Sequence, residues 1–99
     1  MENENLNTKM NIEILRKAID KWGKETQINK IQEEALELAL VLNQRKCPTK
    51  DVEQMEANLY DELADMKIMM AQAEMLFDAE RINERVKFKL DKLQSKYLS

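Results

Sequence analysis

Two pairs of acids in this chain sit where solvation explains them poorly. Glu34 with Glu37, and Glu62 with Asp65, are each spaced three residues apart, which puts both members on one side of a helix. With Met55 set at zero and about 100° per residue, Met66, Met70 and Ala73 fall between about 0° and 60°. Glu62 comes out near 340°, inside that apolar arc, and Asp65 near 280°, at its border. Glu37 lies within the run LELALVL, with Leu40 and Val41 about 60° and 40° to either side of it. A lone carboxylate on a packing face is costly to desolvate unless something compensates it. Four carboxylates converging from two helices repel one another unless a multivalent cation neutralises them. Oxygen ligands of this kind select Mg²⁺, Mn²⁺ or Ca²⁺, and Mg²⁺ keeps waters and commonly bridges to phosphate.

The rest of the composition narrows the chemistry. The 99 residues include no His, one Cys and one Gly. Without His there is no Ser-His-Asp or Cys-His catalysis, no HExxH site and no Glu-x-x-His di-iron centre. The single Cys47 makes no disulfide and no zinc ribbon. With Gly23 alone there is no P-loop and no GxGxxG turn. Any catalysis falls to carboxylates, a hard metal and Lys or Arg.

Four helices must position these groups. The first is expected over about Thr8 to Trp22, with Ile12, Leu15, Ile19 and Trp22 at helical spacing and Gly23 as the stop. The second runs from Thr26, as N-cap, to Arg45, with a stripe of Ile28, Ile31, Ala35, Leu38, Ala39 and Leu42. Cys47-Pro48-Thr49 breaks the chain, and Thr49 caps a long third helix from Lys50 to Phe77. Its apolar face is Met55, Leu59, Leu63, Met66, Met70, Ala73 and Phe77. A junction near Asp78-Ala79 leads to the last helix, striped by Ile82, Val86, Leu90, Leu93 and Tyr97. No period-2 alternation, internal repeat or linker interrupts this pattern, so the expectation is one all-α domain over 1–99. A globule of this length buries only about 60–68% of its unfolded surface, so a partner subunit would help it.

The formal net charge is −3, which attracts neither nucleic acid polymers nor anionic membranes. Its distribution is uneven: residues 51–65 hold six acids and no base, whereas residues 79–99 hold six bases against three acids. Such an arrangement suits a cation and a polyanion sharing one site, or simply complementary helix faces. The start MENENLNTK lacks a signal or transit pattern, no apolar run spans a membrane, and the lone cysteine fits a reducing compartment. The expected location is cytoplasmic.

Glu33-Glu34-Ala35-Leu36-Glu37, then after twenty-four residues Glu62-Leu63-Ala64-Asp65, resembles the EExxE…ExxD signature of the MazG-like all-α nucleoside triphosphate pyrophosphohydrolases. Trp22-Gly23 and Gln27 before the first motif, and ELADMKIMMAQ at the second, are similar too; the likeness covers about Trp22 to Leu93. It implies a four-helix fold completed by oligomerisation, as a homodimer or homotetramer. It also implies that Glu34, Glu37, Glu62 and Asp65 hold Mg²⁺, with Mn²⁺ as a substitute, and that an NTP or dNTP is cleaved to the monophosphate and pyrophosphate. Lys67, following Asp65 and Met66 where the family is mostly aliphatic or aromatic, departs from the pattern.

Within this expectation Glu37 or Glu33 accepts the proton of the attacking water. Lys89, which matches a Lys before a Leu in the family's last helix, and Arg85 one turn earlier would hold the leaving pyrophosphate. Trp22 could stack on the base or pack in the core, and Gln27 or Asn58 could read the base's edge. The competing expectations are a non-catalytic helical interaction module and a phosphoribosyl-ATP pyrophosphohydrolase on the same fold.

Overall fold

A computed structural model describes residues 2–46 and 51–98, with side chains from Ile12 onward. The described residues are all-helical: α1 (Glu2–Trp22), α2 (Lys24–Arg45), α3 (Val52–Leu76) and α4 (Ala79–Leu93), continued by a π-helical turn, Gln94–Leu98. The expected break at Cys47-Pro48 and the expected cap Thr49 lie outside the described residues. None of these helices is long and apolar enough to cross a membrane.

One residue joins α1 to α2. Gly23 takes φ +88° and ψ 157°, a combination that is essentially glycine's alone. Its N–H donates to the Ile19 carbonyl at 2.8 Å, and its carbonyl accepts from the Gln27 N–H at 3.1 Å. It therefore closes one helix and opens the next, and the expected cap Thr26 lies inside α2 instead. The turn was made by backbone freedom, so no hydroxyl was needed. At the other two starts a side chain does the capping. Asp51 accepts from the N–H groups of Glu53 and Gln54, at 2.9 and 3.4 Å. Asp78 accepts from those of Glu80 and Arg81, at 3.1 and 3.3 Å. Between them Phe77 turns extended and ends α3 at Leu76.

The helices α2 and α3 form the main packed pair, and α1 lies against both. Their inward faces match the expected stripes in part. On α2, Ile28, Ile31 and Leu38 of the stripe are half-buried, Ala35, Ala39 and Leu42 are exposed, and the most buried residues are Gln27 and Glu34. On α3, Gln72 and Ala73 are buried, whereas Leu63, Met70 and Phe77 face outward. The apolar core proper is Leu15 and Ala73. Purely apolar periodicity missed this arrangement because polar side chains occupy the middle of both packing faces.

The fourth helix stands apart. Among the described residues it meets only α3, besides its own π-helical continuation, and buries none of its residues.

Candidate functional site

The α2–α3 interface brings carboxylates together. One oxygen each of Glu34, Glu62 and Asp65 lie within 4.8 Å of one another, as do oxygens of Glu33, Glu34 and Glu37. Glu34 belongs to both groups. Glu37 thus joins Glu33 on the outer side of Glu34, while Glu34, Glu62 and Asp65 form the cross-helix cluster. The four expected ligands are adjacent, as two overlapping groups rather than one ring.

Glu34 is only 6% exposed. One of its oxygens lies 3.2 Å from Lys30 Nζ, which also stands 3.8 Å from Glu33. Its second oxygen, and one oxygen of Glu62, are sealed from water without a hydrogen-bond partner. Loss of hydration raises the Glu62 pKa first, the charges of Glu37, Glu34 and Asp65 raise it further, and hydrogen bonding of its protonated form to Glu34 adds to them. Asp65 is raised likewise, by burial first and then by Glu34 and Asp61, with Lys30 acting in opposition. The Lys30 pKa is raised by its bond to Glu34 and by the Glu33 charge. An ammonium group thus already sits where this cluster attracts positive charge. Buried oxygens with nothing to bind suit a hard divalent cation, which takes carboxylate oxygens and completes its shell with water or phosphate. The donor set fits that group.

Beside the cluster, a cavity of about 610 Å³ opens between α1, α2 and α3. Lys30 and Glu33 form part of its wall, so cavity and carboxylates are continuous. Two residues singled out in the sequence, Trp22 and Gln27, line it together with Leu15, Ala18 and Gln72. Gln72 is wholly buried, and neither its amide nitrogen nor its amide oxygen has a partner. Sequence reasoning missed Gln72 and Lys30. The wheel held the signal for the first: Gln72 falls about 20° from Asp65, toward the same face.

The remaining expected residues lie elsewhere. Asn58 lines a second cleft, of about 340 Å³, with Val41, Arg45, Met55 and Tyr60, and its side-chain oxygen accepts from Gln54 at 3.0 Å. Arg85 and Lys89 are exposed on α4, which does not approach α2. The start of α4 is itself roughly 20 Å along the α3 axis from Glu62. Arg85 covers the Phe88 ring at 4.5 Å.

No family model, curated protein or solved structure matches this chain.

Proposed function

We propose that the chain is a Mg²⁺-dependent, MazG-like nucleoside triphosphate pyrophosphohydrolase, releasing the monophosphate and pyrophosphate. The observation that carries this reading is the pair of sealed, unpartnered oxygens on Glu34 and Glu62 within a cluster shared with Asp65. Charged acceptors in that state are strongly destabilising unless a cation satisfies them or a proton neutralises them. Glu34, Glu62 and Asp65 would hold the ion, with Glu37 beside them. The ion supplies charge neutralisation on the phosphates and a more acidic water.

The chain's own residues do the rest. Glu37 and Glu33 are exposed beside Glu34, and one of them accepts the proton of the water that attacks the α phosphorus. A new oxygen–phosphorus bond forms at that atom as its bond to the bridging oxygen breaks, and pyrophosphate leaves. Lys30 stands ready at the edge of the cluster to pair with phosphate oxygens. Arg85 and Lys89 reach such a site only from another copy, in a dimer or tetramer. The exposed Val86, Leu90 and Leu93 of α4 support that association. The same exposed face favours a plain interaction module as the second reading, but that reading leaves the sealed oxygens unexplained.

The test is Mg²⁺-dependent pyrophosphate release from a panel of NTPs and dNTPs, with Glu62→Gln as control. Release by the natural chain and its loss in the variant support the proposal. No release from any nucleotide, or equal activity in the variant, refutes it.

A further inference from the structure

We propose that the cavity between α1, α2 and α3 is a nucleobase pocket, and that the Gln72 amide reads the hydrogen-bonding edge of the base. The identity of the ligand's phosphate part rests on the function proposed above; the recognition of the base does not.

Three observations converge. The first is Gln72 itself. It is 0% exposed, and its amide N–H₂ and carbonyl make no hydrogen bond with the protein. A buried amide without partners is strongly disfavoured, and a side chain with no structural use for its polarity is normally replaced by an apolar one of like shape. The second is the cavity's composition. Its wall is mainly apolar, with Leu15, Ala18 and Met69, and it carries Trp22, which is half exposed. Flat, apolar faces with a polar edge fit such a space. The third is continuity. Lys30 and Glu33 line this wall and stand beside Glu34, Lys30 at 3.2 Å from its carboxylate and Glu33 in one group with it, so a ligand whose planar part enters the cavity carries its phosphates toward the acids.

The chemistry of the amide narrows the ligand further. It presents one donor and one acceptor side by side, the pattern with which Gln pairs to adjacent acceptor and donor atoms on a base. Inorganic polyphosphate has no such edge. The amide is closed to water in the ligand-free chain, so the base enters as a neighbouring wall residue gives way. Met69, which lines the same wall beside Gln72, has the flexible, unbranched side chain such a movement needs.

Phosphate-free nucleosides separate this inference from the hydrolytic one. Trp22 is the chain's single tryptophan and lines the cavity, so its fluorescence comes from one known position at that wall. Titration with the four ribonucleosides and four deoxyribonucleosides is expected to give saturable quenching with at least one of them. Gln72→Met, close in shape and without the amide, is expected to weaken that nucleoside about tenfold or more. Its melting temperature should stay equal or rise, because an unsatisfied polar group has been removed. Ala18→Leu, which fills the cavity from α1, should independently abolish quenching. The inference is overturned if no nucleoside saturates the signal or if Gln72→Met binds as the natural chain does. A lower melting temperature in Gln72→Met also overturns it, since the amide then serves the fold. Nucleoside binding without any pyrophosphate release would sink the enzymatic proposal and leave the pocket standing.

Discussion

Replacing Glu34 by Gln should make the metal-free protein more stable and the metal-loaded protein less so. Glu34 is nearly sealed from water, with one oxygen paired to Lys30 at 3.2 Å and the other unpartnered amid four further carboxylates. Lys30 is half exposed, so its pairing contributes little. An unsatisfied buried acceptor costs about 1–3 kcal/mol, more when charged. Gln removes the charge and turns one position into a donor facing Glu62 and Asp65, so a net gain of about 1–2 kcal/mol is expected. For a domain of this size that raises the melting temperature by roughly 4–16 °C. Added Mg²⁺ or Mn²⁺ should reverse the order. At about a hundred times its dissociation constant, a metal that binds the native chain adds ~2.7 kcal/mol, and the variant forfeits most of this. Thermal unfolding with chelator and with metal gives four melting temperatures, and the two pairs should cross. If the variant is less stable under both conditions, Glu34 is a structural partner of Lys30 and nothing more. Equal metal shifts in both proteins would place the ion elsewhere.

Two further outcomes follow from the geometry. Gly23→Ala meets no atom within 4 Å, so its penalty is backbone strain alone, about 1–3 kcal/mol, read as a fall in melting temperature; an unchanged melt would contradict the positive φ. The pKa values of Glu62 and Asp65 are raised by folding, so the native chain holds protons that the unfolded chain has released. Stability without metal should therefore be greatest below the ordinary carboxylate range and fall as pH rises through the raised values, flattening when Mg²⁺ is present. A melting temperature that climbs over that window would show that the cluster is not strained.

Much of this was legible in the residues. Ala-, Leu- and Glu-rich segments broken at Gly23 and near Asp78 gave the helices, because local propensity and punctuation act within a few residues. The wheel placed Glu62 among apolar neighbours, and its oxygen is indeed sealed. The helix faces were less legible. The α2 stripe was read through Ile28 and Leu42; Ile28, Ile31 and Leu38 are half-buried, but the deepest positions are Gln27 and Glu34, since which side is covered depends on the angle at which α1 and α3 meet it. Lys30 illustrates the same limit: its place beside Glu34 is a one-turn relation visible in any helix, but its meaning comes from Glu62 and Asp65 on the facing one. Gln72 looked like an ordinary polar residue until three helices enclosed it.

The isolation of α4 divides the molecule thermodynamically. A fifteen-residue helix with no buried residue, only Ala79 and Ile82 half-covered, is held largely by its own hydrogen bonds and the Asp78 cap, which is marginal in water. Its amides should exchange with deuterium through fraying that leaves α2 and α3 intact, while those around Glu34 and Gln72 wait for the whole fold to open. A melting curve followed by helicity would then begin to slope well before the cooperative transition, the early loss belonging to the C-terminal fifth of the chain.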